Sequence, residues 1–262
     1  MGKIILKEEM KTVKVNDEEK RVRLLDNEKF DSFNPDVLGL GDISLRSTQV
    51  EGLAAVFDLS GFTNFCSRID PQLSVPEFLS GFLGWLFEEI KKEFVAASYE
   101  EGKKLWAALP FLAKFLGDGV LFLWDTENMG GTEICNVVTS LKIICRDYKN
   151  KFYQQIKKVV VEPPNILRCG IARGRVFSVG NGEDYVGPCI NLASRLQKLN
   201  LLTFCVSRRG FDFEKYMHKN EIPIYVLKSV SLPGIGENEL VWVLKEEFDK
   251  LSPKEKALFR EP

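Results

Sequence analysis

The segment LAAVFD, Leu53 to Asp58, constrains this chain more than any other stretch. It is a continuous apolar run of strand length that ends in an acid, which reads as a buried strand delivering a carboxylate at its tip. A second acid is offered in the same way. AKFLGDGVLFLW, Ala113 to Trp124, reads as strand, tight turn and strand, with Gly117, Asp118 and Gly119 in the turn. A carboxylate beside apolar strands is costly unless it is paired, hydrogen-bonded or holding a cation. Two of them on neighbouring strands repel, and a divalent ion with oxygen ligands resolves that repulsion. The plain alternative is that Asp58 caps a turn and Asp118 fills a hairpin; their joint occurrence favours the cation site.

Around these acids the pattern predicts an α+β chain in three parts. The first fifty residues are polar, and TVKV, NDEE and KRVRLL read as two alternating strands around a turn, so 1–50 is expected to be a hairpin arm. The core domain is expected over 51–248, with 249–262 as a tail. A helix from Val75 to Phe94, with Pro76 in its first turn, carries Phe78, Leu79, Phe82, Leu83, Trp85, Leu86, Phe87 and Ile90. An apolar arc that broad implies burial on two sides, against the sheet and a second subunit, or full burial inside a monomer. Residues 96–112 read as a connector, and Glu133 to Phe152 as a helix. ILRCGIAR and RVFSVG read as a pair of strands around Gly174. A helix from Pro188, a strand at Thr203 to Val206, a helix near Phe211 and strands at Ile224 to Leu227 and Leu240 to Leu244 complete a sheet with helices on one face.

Composition narrows the chemistry. The 36 basic and 37 acidic residues leave no excess charge to hold nucleic acid or an anionic membrane. No apolar run approaches the roughly 20 residues that cross a bilayer, and MGKIILKEEMK meets acids before a signal-peptide core can form, so a cytoplasmic protein is expected. The six cysteines are scattered among apolar neighbours and are expected to be buried and reduced. His218 is the only histidine, which disfavours a zinc site and most histidine-based triads. Catalysis is left to carboxylates, Arg, Lys, Asn or a bound metal.

Four segments in this order and spacing, FDLSGFT, KFLGDG, RCGIARGRV and YVGPCINLASRL, resemble the motif series of the class III nucleotidyl cyclase catalytic domain over about residues 50–245. The resemblance implies a ferredoxin-like core: a mostly antiparallel central sheet with flanking helices. It implies that Asp58, Asp118 and the carbonyl of Leu59 hold two Mg²⁺ or Mn²⁺ ions. From the residues themselves, Ser60, Gly61, Phe62 and Thr63 read as a small-residue turn into a helix whose backbone N–H groups can cradle phosphates, the alternative being a purely structural helix cap. Arg175 would contact the departing phosphates, while Asn191 and Arg195 would position the ribose and stabilise charge on the α-phosphate. Those last two are spaced i and i+4, which puts them on one helix face. Lys114 and Asp184 fall on the base-reading positions. The family's active sites form between the chains of an antiparallel dimer, so a homodimer with shared sites is implied.

QVEGLAAVFDLSGFTNFCSRIDPQLSVPEFLSGFLGWLFEEIK and EDYVGPCINLASRLQKL are similar, more narrowly, to the pyrimidine cyclases of bacterial Pycsar anti-phage defence systems. That resemblance implies UTP or CTP as substrate, with a uridylate cyclase favoured over a cytidylate cyclase, cyclic UMP or cyclic CMP as product, and a partner effector activated by the cyclic nucleotide. Lys114 and Asp184 suit adenine as well as uracil or cytosine, so an adenylate cyclase is the competing enzyme reading. A catalytically inactive cyclase-like module is the competing non-enzyme reading. Bulky residues near Phe57, Leu59, Phe115 and Tyr185 are candidates for excluding purines. Two departures stand out: Pro233 replaces a family lysine, for which Lys228 is a candidate substitute, and Ala172-Arg173 replaces a His-Thr or His-Ser pair.

Overall fold

The computed structural model describes residues 9–16, 18–24, 26–68, 70–100, 103–106, 108–199 and 202–262. They divide into two compact units: one of residues 1–49 with 177–186, the other of residues 50–176 with 187–262.

In the first unit, β1 (Glu9–Val15) and β2 (Glu18–Leu24) pair antiparallel as the polar hairpin that the alternation predicts. A short helix, α1 (Asn27–Asp31), follows. Further on, Thr48 accepts from Ser178 N–H through its carbonyl and donates its own N–H to the Ser178 hydroxyl at 2.8 Å. Gly180 adopts φ +60°, and a Cβ there would lie 1.6 Å from the Leu40 carbonyl, so only glycine fits this approach.

The second unit is built on one mixed sheet. Its strands are β3 (Gln49–Ser60), β6 (Leu112–Phe115), β7 (Gly119–Asp125), β8 (Ile166–Val179), β10 (Phe204–Ser207), β11 (Tyr225–Leu232), β12 (Gly236–Leu244) and β13 (Phe259–Arg260), in the order β13-β11-β12-β10-β8-β3-β7-β6. Between them come α2 (Phe62–Cys66), α3 (Pro71–Phe94), the hairpin β4 (Val95–Glu100) and β5 (Lys103–Trp106), α4 (Gly131–Asp147) and α5 (Tyr153–Ile156). β9 (Asp184–Val186) belongs to the first unit, where it pairs with the last residues of β8. Then follow α6 (Pro188–Leu196), α7 (Phe213–Tyr216), α8 (Lys245–Lys250) and α9 (Pro253–Lys256). The central order β8-β3-β7-β6, with α3 after β3 and α4 after β7, is the ferredoxin-like arrangement.

Alternation along the strands separates two faces. Leu53, Ala55, Phe57 and Leu59 of β3, Val120, Phe122 and Trp124 of β7, and Leu167, Cys169 and Ile171 of β8 share one core with Phe78, Phe82, Leu86, Ile90 and Phe94 of α3 and Leu141 and Ile144 of α4. The α3 residues recur every four positions, so this helix buries one stripe. Leu79, Leu83 and Trp85 are only partly buried beside it, so α3 is not the fully internal helix of a monomer. Asp58, Arg168 and Gly170 point to the other face, where α6 packs. Helices therefore cover both faces of the sheet, unlike the one-sided arrangement that element order suggests.

Several local expectations change. α3 begins at Pro71 and carries Pro76 inside it. The 96–112 connector contains the β4–β5 hairpin. β8 is one strand, because Gly174 stays extended and does not turn. The helix read as ending at Phe152 passes through a π-helical turn, Tyr148–Phe152, into α5. Residues 249–262 are more than a tail: β13 pairs with β11 at the sheet edge, with Phe259 buried.

Candidate active site

Strand register brings the two acids together. β3 and β7 run antiparallel with Asp58 opposite Gly119, and the Leu59 N–H donates to the Asp118 carbonyl at 3.0 Å. The approach depends on Gly119, since a Cβ there would sit 1.9 Å from the Phe57 carbonyl. Gly117, at φ +99°, turns the hairpin so that Asp118 follows directly. Asp58 is 5% exposed, whereas Asp118 is half-buried.

Arg168, which sequence reasoning did not single out, grips Asp58. Its Nη2 and Nε both donate to Oδ2, at 2.6 and 3.0 Å. Burial raises the Asp58 carboxyl above the usual aspartate range, Arg168 opposes that rise, and the negative charge of Asp118 adds to it. Oδ1 has no hydrogen-bond donor among the described residues, which leaves its lone pairs available to a cation. The donor set is two carboxylates and a neighbouring main-chain carbonyl, all hard oxygens, and it suits a magnesium-like ion that keeps several water or phosphate ligands. Among the described residues no cluster of three or more His, Cys, Asp or Glu side chains competes as a metal site. The signal for Arg168 was present as a charge in the apolar run ILRCGIA, but its partner is 110 residues away.

The turn after the acids has a divided role. Gly61, at φ +83°, opens α2, and Thr63 is exposed there. The Phe62 ring lies among Phe65 and Phe78 in the core, so only the Phe62 backbone is available to a phosphate. Phe57 and Leu59 also face the α3–α4 core and cannot shape a base pocket, whereas Phe115 is exposed.

Asn191 and Arg195 lie together, apart from the acids. Both lie on α6 and line a cleft of about 360 Å³ with Ser194, Pro233, Gly234 and Ile235. No residue of the acid pair lines this cleft. Gly170 sets its position by letting α6 approach β8 closely. Pro233 has a structural reason: the Ile235 N–H donates to Leu232 at 3.0 Å across Pro233-Gly234, with Gly234 at φ +78°, which is a type II turn. Lys228 is no substitute for the missing lysine. It is buried on β11, ion-paired with Glu261, and its Nζ lies 4.9 Å from the Phe248 ring centre. Arg173 also has a clear partner, since its Nε donates to the buried Thr126 hydroxyl at 2.9 Å.

Arg175 is not at the acids. Its Nε donates to Glu51 at 3.2 Å, and Glu51 is seven residues before Asp58 on β3, roughly 23 Å along the strand. The pairs Arg168–Asp58 and Arg175–Glu51 also show that β8 runs antiparallel to β3. Lys114 lies on β6 opposite Leu121 in the second unit, and Asp184 lies on β9 in the first, where its carboxylate accepts from Tyr185 N–H.

No protein-family model and no curated protein matches this chain. Solved structures do. The crystal structure of the adenylyl cyclase CyaB from P. aeruginosa matches 76% of this chain and 96% of its own, with a TM-score of 0.57 at 16% identity. That of the guanylyl cyclase Cya2 matches 76% of this chain and 94% of its own, with a TM-score of 0.54 at 17% identity. The fold is therefore that of class III nucleotidyl cyclase catalytic domains. Among the described residues no helix is long and apolar enough to cross a membrane.

Proposed function

We propose that this chain is a nucleotidyl cyclase acting on a pyrimidine nucleoside triphosphate. The observation that carries the reading is the hydrogen-bonded junction of β3 and β7, which presents Asp58 and Asp118 side by side. In the reaction the ribose 3′-oxygen attacks the α-phosphorus, the 3′,5′-cyclic phosphodiester forms, the bond to the β-phosphate oxygen breaks, and diphosphate leaves. Asp58, Asp118 and the Leu59 carbonyl would hold two Mg²⁺ or Mn²⁺ ions. Bound there, such ions lower the pKa of the 3′-hydroxyl and neutralise the leaving phosphates. The side chains supply position and charge. Asn191 holds the ribose, Arg195 meets the equatorial charge that develops on the α-phosphate, and the main chain at Phe62 and Thr63 receives phosphate oxygens. Lys114 and Asp184 read the base.

A homodimer supplies what one chain lacks. Asn191 and Arg195 line a cleft apart from the acids, and Arg175, on β8, is ion-paired with Glu51 near the start of β3 and away from its own chain's acids, so all three would serve a partner's acid pair. The pyrimidine substrate and a role in cytoplasmic anti-phage signalling, through an effector that binds the cyclic product, rest on the motif resemblance. The adenylate cyclase reading gains ground from one observation: Phe57 and Leu59 are committed to the core and do not narrow a base pocket. Incubation of the purified protein with each of the four NTPs and Mn²⁺, with products identified by mass, decides between them. Cyclic UMP or cyclic CMP is expected. Cyclic AMP alone overturns the pyrimidine reading, and no product from any NTP favours the inactive module.

A further inference from the structure

The motif resemblance assigns no role to Arg168, yet it makes the tightest side-chain contact that either acid has. Its guanidinium is permanently charged, reaches Asp58 from the neighbouring strand, and places both bonds on one carboxylate oxygen. With Asp58 buried, that contact holds a carboxylate in place whose charge would otherwise face Asp118 uncompensated. Two carboxylates and one guanidinium, with the charge of Lys198 also favouring the Asp58 anion, leave at most a single net negative charge. That is too little to hold two divalent ions, and a triphosphate brings the remainder.

We propose that Arg168 is a positioning residue that stands in for a cation at Asp58, so that the acid pair takes up divalent ions together with a nucleotide and holds them poorly without one. The inference rests on the reading of Asp58 and Asp118 as the ion-holding acids. Arg168 acts in two ways. Its bonds to Oδ2 restrict Asp58 to one free oxygen and hold that oxygen's direction. Its positive charge repels a lone divalent ion that arrives without phosphate.

Mn²⁺ binding to the whole 262-residue chain, followed through the free-ion electron paramagnetic resonance signal without nucleotide, tests this. Arg168→Met is expected to bind Mn²⁺ at least about tenfold more tightly than the wild type, because a unit charge beside a divalent ion is removed. Arg168→Lys, which keeps the charge, is expected to return to wild-type weakness. Addition of Asp58→Asn to Arg168→Met is expected to abolish the gain. Without metal, Arg168→Met should melt below the wild type, and Mn²⁺ should close the gap; a purely structural arginine would give no such recovery. Arg168→Gln repeats the comparison if the methionine variant does not fold. Affinity in both neutral variants equal to or weaker than wild type, with Asp58-dependent binding intact in the presence of nucleotide, overturns the role of Arg168. Mn²⁺ binding that ignores Asp58→Asn in every background, with nucleotide or without, overturns the metal assignment instead.

Discussion

Replacement of Gly170 by alanine tests how tightly the fold sets the position of α6 and, with it, of Asn191 and Arg195. Gly170 lies on β8 with its missing side chain directed at the last turn of α6. An added Cβ would be 2.1 Å from the Ala193 carbonyl and 2.4 Å from the Gln197 nitrogen. Those two atoms form a hydrogen bond of 3.1 Å, so the methyl would point into the bond itself. Ordinary contact begins near 3.4 Å, so the helix must retreat by about 1.3 Å or lose that bond. Overpacking of this kind costs about 1–3 kcal/mol, which for a chain of this size lowers the melting temperature by about 2–6 °C. Asn191 and Arg195 ride on the displaced helix, and a misplacement of about 1 Å costs on the order of 100-fold in turnover. The assay is product formation with the accepted NTP and Mn²⁺, beside a thermal melt. Gly84→Ala is the contrast: nothing lies within 4 Å of its Cβ position on α3, so it should gain about 1 kcal/mol of helix stability and keep its activity. A Gly170→Ala protein with wild-type melting and turnover within about threefold would refute the close-approach reasoning.

Three further outcomes are expected. An Asp58→Ala chain and an Arg195→Ala chain, each inactive alone, should recover about one working site per heterodimer when mixed, measured as turnover after proven subunit exchange; no recovery counts against shared sites. Burial raises the Glu247 carboxyl above the usual glutamate range against the opposing Thr203 donors, so the folded state binds this proton more tightly than the unfolded state. Its contribution to stability therefore falls as pH rises from the ordinary glutamate value through the raised one. Melting curves from pH 4 to 8 should show Glu247→Gln gaining on the wild type as pH rises, and a difference independent of pH would refute the assignment. Finally, all six cysteines are free, and only Cys66 is not fully buried, with its thiol pKa raised by that partial burial. A thiol reagent should label one site per native chain, slowly, and six after denaturation.

The elements that carry the candidate site residues are legible in the sequence because their signals are local. The apolar run ending at Asp58, the Gly117-Asp118-Gly119 turn and the i, i+4 spacing of Asn191 and Arg195 each depend on a few neighbouring residues. Backbone geometry then places them as the pattern predicts. The hairpin arm is legible for the same reason. The misses share a different cause. Phe62 reads as a phosphate-loop residue, but Phe78, sixteen positions on, claims its ring. Lys228 reads as available, but Glu261 and Phe248 enclose it, and Gly174 reads as a turn although neighbouring strands hold it extended. Arg168 reads as one charge in a strand, and its meaning emerges only where β8 lies beside β3.

Sequence alone determined which residues carry oxygen, charge or a turn, and on what kind of element, because helix and strand periodicity and turn chemistry act over a few bonds. Tertiary structure decided which of them meet. That the acid pair contains an arginine, that Arg175 stands some seven strand residues away, and that Asn191 and Arg195 open a cleft of their own all follow from strand order and register. Register is set by burial of one sheet face against α3 and α4, a sum over many distant contacts that no short segment encodes.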